Sequence, residues 1–168
     1  LNAWKAVATA CPGATLTLVG DGDLRPALER QAAGLGIEAS VRFAGLSTDV
    51  RPFLWDASIF VLFSRREALP LSILEAMAAE LAVAAPALGG IPEAVEDGGC
   101  GTLVEPGNET ALARALINLL SGDARRAAYG QRGREIVEAR FGLGACLDRI
   151  EEVYDTVRRG SGRPGRSG

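Results

Sequence analysis

The chain has 168 residues, a formal net charge of −3 and no histidine. That length suits one domain with a sizeable core, and the mildly negative charge argues against nucleic acid as a partner. A histidine base or histidine metal ligand is excluded within this chain.

Apolar residues make up 48% of the sequence and aromatics only 5%, a balance that suits a helix-rich α/β domain. Cys11, Cys100 and Cys146 are odd in number and far apart, so they form neither a zinc spacing nor a disulfide framework. They read as buried or idle thiols in a reducing cytoplasm. No apolar run reaches the length of a membrane span, and no signal peptide is visible. The sequence opens at Leu1, without methionine and inside a helix-like pattern, which reads as an excised or truncated piece.

Leu1 to Ala10 reads as the end of a helix packed through Trp4, Val7 and Ala8 and stopped by Pro12-Gly13. Ala14 to Val19 reads as a strand. The turn Gly20-Asp21-Gly22-Asp23 follows, with Asp23 expected to cap a helix to about Ala33 that Gly34 and Gly36 end. Ser40 to Ala44 is the next strand, running into Gly45-Leu46-Ser47-Thr48-Asp49. Ser47, Thr48 or Asp49 is expected to cap a short helix, Val50 to Asp56.

Ile59-Phe60-Val61-Leu62-Phe63 is continuously apolar, as in a strand buried on both faces. Leu71 to Ala79 reads as a helix with Pro70 at its start, where a missing N–H costs little. Between them lies Arg65-Arg66-Glu67-Ala68-Leu69. A loop between a strand's carboxyl end and a helix is where α/β sheets hold ligands. The open amides near Leu71 and Ser72 make an anion site, and Ser72 and Glu75 share a helix face. Glu67 and Glu75 would then grip hydroxyls beside a phosphate, the outline of a nucleotide-sugar. The bland alternative is that glutamates gather near helix starts for dipole reasons alone.

Ala82 to Ala85 is a short strand, and Gly89-Gly90-Ile91-Pro92-Glu93 turns into a short helix ending before Asp97-Gly98. Gly101 to Val104 is the last strand, closed by Pro106-Gly107. Asn108 is expected to cap the helix Glu109 to Leu120, with Leu112, Ala115, Leu116, Leu119 and Leu120 inward. Asp123 is expected to cap another helix to about Ala139, with Phe141 packed at the break. A last helix runs from Leu143 to about Val157, carrying Leu147, Ile150, Val153, Tyr154 and Val157 on one side.

Strands alternate with helices five times, which implies a parallel sheet covered on both faces. The expected architecture is a Rossmann-like α/β domain over residues 1–157, followed by a disordered basic tail, 158–168. The tail's four arginines read either as a plain solvated end or as a peripheral contact with an anionic membrane face.

From Glu67 to Glu75 the sequence resembles the E-x7-E motif of the retaining glycosyltransferases of GT-B fold, the group called family 4 or group 1. The resemblance continues through Glu75-Ala76-Met77-Ala78-Ala79, Gly89-Gly90-Ile91-Pro92-Glu93, Asp97-Gly98 and Gly101-Thr102-Leu103-Val104-Glu105-Pro106-Gly107, and covers roughly Ala8 to Val157. It implies the C-terminal, donor-binding half of an enzyme that moves a sugar from a nucleoside diphosphate, with no metal and no cofactor beyond the nucleotide-sugar itself. Acceptors in such families include lipids, glycans and small metabolites.

By the same resemblance Glu67 would hold donor-sugar hydroxyls at the reacting face, and Glu75 ribose hydroxyls. Leu71 and Ser72 would face the diphosphate, Ala68 and Leu69 the donor sugar, Gly20 and Gly22 the cleft, and Leu46 and Ser47 the base through backbone groups. The Gly89-Gly90 pair is read as structural, near the cleft floor.

Three positions depart from the pattern. Glycine is usual where Glu80 stands, proline is frequent at Ala82, and glycine is common at Ala68. A left-handed Glu80 would carry strain of roughly 1 kcal/mol. The family's Arg…Lys-Gly segment and the acceptor domain have no match in the chain, so the piece alone is expected to be inactive. The alternative is a non-catalytic nucleotide-binding or scaffold module. A nucleotide-sugar epimerase would need histidine and acidic groups that this chain does not supply.

Overall fold

A computed structural model of the chain describes residues 1–160. Among the described residues the helices are α1 (Asn2–Ala10), α2 (Arg25–Leu35), α3 (Arg51–Asp56), α4 (Leu71–Ala78), α5 (Ile91–Ala94), α6 (Glu109–Leu120), α7 (Asp123–Arg140) and α8 (Leu143–Gly160). The strands are β1 (Leu16–Val19), β2 (Val41–Gly45), β3 (Ile59–Val61), β4 (Ala82–Pro86) and β5 (Gly101–Val104). No described helix is long and apolar enough to cross a membrane.

Every strand pair is parallel, as strand–helix alternation demands. The strands fall into two sheets: β1 pairs with β2, and β3-β4-β5 form a second sheet with β4 central. The α/β architecture is therefore the expected one, with the sheet interrupted between β1 and β3.

Alternation along the strands sorts the core into two layers. On one face, Ala82 and Ala84 of β4 meet Trp4 and Val7 of α1, Ala32 of α2 and Leu112, Leu116 and Leu119 of α6. Half-buried Leu16, Leu18, Ile59 and Val61 join that layer. On the other face, Val83 and Ala85 meet Ile73 and Met77 of α4, Ile91 and Ala94 of α5 and Ile136 of α7, with Phe60 alongside. All five positions of β4 are buried.

Several helix ends differ from expectation. Asp23 does not cap α2: Leu24 holds that position, with Pro26 in the first turn and no side-chain cap bond. The nearby carboxylate, Asp21, is engaged instead by Arg25 at 3.2 Å. Gly36 ends α2 in the left-handed region at φ 68°, while Gly34 lies inside the helix. Asp123 is the first residue of α7 rather than its cap, and pairs with Arg126 at 2.7 Å. The expected cap at Asn108 is present: its Oδ1 accepts the Ala111 N–H at 2.9 Å.

Arg158 to Gly160, expected in the tail, belong to α8. Residues 161–168 lie outside the described residues. Leu147, Ile150, Val153, Tyr154 and Val157 line α8 as expected, yet all are exposed.

Candidate functional site at the carboxyl ends of the strands

The E-x7-E motif spans the β3–α4 loop and the second turn of α4. Pro70 stands at the N-cap in extended conformation (φ −72°, ψ 122°). It hands the chain from loop to helix without needing an N–H of its own. The Ile73 N–H donates to the Pro70 carbonyl at 3.1 Å. The N–H groups of Leu71 and Ser72 open the helix, where no helical carbonyl lies four residues back to accept them. Leu71 is exposed and Ser72 half-buried.

Glu75 is exposed one turn further on, and Glu67 is half-buried in the loop. Among the described residues neither carboxylate takes a hydrogen bond or ion pair from another side chain. Two acceptor groups and an open helix start therefore occupy one short stretch of chain.

The loop is held from below by the glycine pair. The Gly90 N–H donates to the Ala68 carbonyl at 2.5 Å. Gly89 has φ +56°, and a Cβ there would collide with the Glu67 carbonyl and lie 2.8 Å from the Ala68 carbonyl. At Gly90 a Cβ would lie 3.0 Å from the Ala68 carbonyl and 3.3 Å from the Leu69 Cβ. Only a chain lacking side chains at 89 and 90 lets the β4–α5 turn press against the backbone of Glu67, Ala68 and Leu69. The glycine pair is structural, as expected, and its partner is the motif loop itself. Sequence reasoning missed that pairing, because two loops 20 residues apart carry no shared pattern.

A second group of expected residues sits on the other sheet. The Gly20 N–H donates to the Gly45 carbonyl at 2.8 Å, tying the loop after β1 to the loop after β2. Gly20 and Gly45 both have positive φ, 125° and 75°. The Gly22 N–H donates to Asp21 Oδ1 at 2.8 Å. Arg25 bridges Asp21 and Glu29, at 3.2 and 2.9 Å. It also lies over Gly45, where a Cβ would meet its Nη1 at 3.3 Å. Arg25 is thus a further cation at this rim, legible in the Asp21–Arg25–Glu29 spacing of four.

Leu46 is 82% exposed. The Ser47 hydroxyl donates to the Asp49 carbonyl at 2.7 Å and accepts the Asp49 N–H at 3.2 Å. The Arg51 guanidinium, then its N–H, hold the Asp49 carboxyl below its usual range. Asp49 thus serves the start of α3, while the N-cap position itself falls to Val50.

Two other features stand apart. A recess lined by Trp55, Glu80, Asp123 and Arg126 opens near the amino ends of β3 and β4, away from the motif. Cys100 is buried, and burial pushes its thiol up, so it stays protonated.

Comparison with known proteins bears on the family and the fold. The family model for group 1 glycosyl transferases matches residues 1–122. The chain is 35% identical over 137 residues to the lipopolysaccharide core biosynthesis glycosyltransferase LpsE of Rhizobium meliloti, covering 82% of this chain and 40% of that protein. It is 34% identical over 146 residues to the N-acetyl-alpha-D-glucosaminyl L-malate synthase of Bacillus anthracis, covering 87% of this chain and 38% of that protein. The chain therefore spans about two fifths of the length of these two relatives.

Among solved structures, Anabaena Alr3699/HepE in complex with UDP superposes with a TM-score of 0.84 at 28% identity, covering 90% of this chain and 43% of that one. The C-terminal domain of a group 1 glycosyl transferase family protein (LpcC) from Francisella tularensis superposes at 0.75 with 27% identity, covering 84% of this chain and 78% of that one. The fold is that of the C-terminal half of GT-B glycosyltransferases, and the chain belongs to the group 1 glycosyl transferase family.

Proposed function

We infer that this chain is the donor-binding half of a retaining, family 4 glycosyltransferase that moves a sugar from a nucleoside-diphosphate sugar to a lipid, glycan or small-molecule acceptor. The observation that carries the reading is the motif geometry. Glu67 sits in a loop clamped by Gly89 and Gly90, directly ahead of the open start of α4, with Glu75 one turn inside that helix.

The residues divide the work by charge. The Leu71 and Ser72 amides, at the positive end of the helix dipole, stabilise negative charge on the leaving diphosphate. Glu75 accepts from ribose hydroxyls and Glu67 from donor-sugar hydroxyls. The Gly20–Gly22 and Leu46–Ser47 loops supply backbone groups to the nucleotide. The solved neighbour from Anabaena was captured with UDP and with UDP-glucose, which makes a uridine nucleotide the first ligand to test. Transfer itself needs an acceptor half closing over the cleft.

Calorimetric titration of the chain with UDP, GDP and ADP tests the reading. Saturable binding to one of them is expected, weakened at least tenfold (about 1.4 kcal/mol) by Glu75→Ala. Binding that ignores Glu75→Ala would refute the assignment of the motif. Ala68, where the family commonly has glycine, favours the second reading of a nucleotide-binding module without transfer. Sugar transfer by a longer form containing the acceptor half decides between the two.

A further inference from the structure

We propose that the recess at the amino ends of β3 and β4 is a second binding site, built around Trp55, for a neutral pyranose glycan. It lies at the opposite end of the sheet from the E-x7-E motif. The five residues of β4 stand between the two, a span of about 16 Å.

The first observation is the indole. Trp55 is one of two tryptophans in a chain poor in aromatics, and it is 73% exposed near the end of α3. Trp4, by contrast, is buried and donates from Nε1 to the Ser40 hydroxyl at 3.0 Å. A lone exposed apolar residue needs no explanation. This one forms part of a recess of about 400 Å³ that buried Leu81 also lines, within the usual size range of small-ligand sites.

The second is Glu80, which lines the same recess. Among the described residues it is the one non-glycine with positive φ, 59°. Glycine would hold this turn without strain, so the strained backbone serves to set a carboxylate beside the recess. Outliers of this kind gather at functional sites. Arg134 of α7 fixes the carboxylate, donating from Nη1 to Oε1 at 3.1 Å.

The third is the charge balance. Asp123 Oδ1 accepts from Arg126 Nη2 at 2.7 Å, and Arg126 Nη1 donates to the carbonyls of Leu119 and Leu120 at 2.6 and 2.8 Å. Each carboxylate of the recess is thus paired with one arginine. A cationic ligand would find the negative charge already neutralised, and an anionic one would find the Arg126 guanidinium engaged. Each carboxylate keeps a second oxygen able to accept. The exposed Ser58 hydroxyl has no hydrogen-bond partner among the described residues. Hydrogen-bond acceptors and a hydroxyl therefore surround an aromatic face. That set matches a pyranose, whose hydroxyls donate while its C–H face lies on the negative face of the indole. The inference uses no residue of the motif and stands whether or not the chain binds nucleotide.

The test follows the 168-residue chain by ligand-observed NMR and tryptophan fluorescence. The probes are maltotetraose, cellotetraose, chitotetraose and α-mannotetraose, with choline chloride as the cation. At least one of the sugars should bind with Kd on the order of 1 mM and move the Trp55 emission to shorter wavelength; Trp4, already buried, adds no shift. Trp55→Ala should weaken that binding about tenfold, and Trp55→Tyr should retain most of it. Glu80→Gly, which frees the turn, should weaken it about threefold. Because Trp55 is exposed, the melting temperature of Trp55→Ala should match the parent, so a lost signal is not a lost fold. UDP titration should give the same result in the parent and in Trp55→Ala, which separates this site from the motif. Failure of every sugar to bind would overturn the proposal. So would sugar affinity that ignores Trp55→Ala, or binding of choline in place of sugar.

Discussion

Two glycines on one helix should respond in opposite directions to the same substitution. Gly130 and Gly133 are both buried on α7, where it crosses the end of α4. At Gly130 an added Cβ collides with the Glu80 carbonyl oxygen and lies 2.6 Å from its carbon. Those atoms are backbone, in a residue already held at φ 59°, so they cannot swing aside. Overpacking of this kind costs about 3 kcal/mol at the upper end of its usual range, offset by about 1 kcal/mol of helix propensity gained on leaving glycine. Gly130→Ala should therefore destabilise by about 2 kcal/mol.

At Gly133 the same Cβ meets Met77 Cβ and Cγ at 3.5 Å, an ordinary contact. Gly133→Ala keeps the propensity gain and should stabilise by about 1 kcal/mol. For a chain of this size the melting temperature should fall by about 4–8 °C in the first variant and rise by about 2–4 °C in the second. Urea unfolding followed by circular dichroism checks the same numbers, with unchanged slope. If Gly130→Ala melts at or above the parent, the close approach of α7 to the α4 cap is wrong. A shift of the same sign in both variants would mean that propensity, not packing, decides here.

The remaining predictions follow from single contacts. Glu80→Gly should be more stable than Glu80→Ala by about 1 kcal/mol in thermal melts. Both lose the exposed ion pair with Arg134, but only glycine relieves the left-handed backbone. Asn108→Ala should cost about 1 kcal/mol in urea titration, through the orphaned Ala111 N–H at the start of α6. Gly89→Ala should weaken nucleotide binding about tenfold (about 1.4 kcal/mol) in calorimetry, though residue 89 is assigned no ligand contact, because it displaces the Glu67 carbonyl. Unchanged affinity would remove the glycine pair from any positioning role.

What could be read in advance tracks how local the cause was. The bounds of α6 matched their expectation because an amphipathic repeat, an Asn cap and a Pro-Gly boundary all act within a few residues of one another. The left-handed Glu80 was legible from the motif, where glycine is usual, and the structure gives φ 59°. Caps at Asp23 and Asp123 failed because a residue caps only if the backbone turns at its own position. Here the turn falls at Leu24 and Gly122.

The interrupted sheet was not legible, since pairing joins residues far apart in sequence. The apolar side of α8 was legible from its period, but periodicity names a face without naming what covers it. At the candidate site both carboxylates and the helix start were evident from spacing. The clamp of Gly89 and Gly90 on the motif loop was not, because it depends on the depth of a turn.

β4 is built almost wholly from small residues, Ala-Val-Ala-Ala-Pro, and all five are buried. Its side chains act as a thin shim between the α6 layer and the α4–α7 layer. Thickening it by even two or three carbons at Ala84 or Ala85 would wedge those layers apart. The turn that grips the Glu67 loop emerges directly from the end of this strand, and α4 carries Glu75. The gauge of one alanine-rich strand therefore sets how far apart the two helix layers that flank it stand.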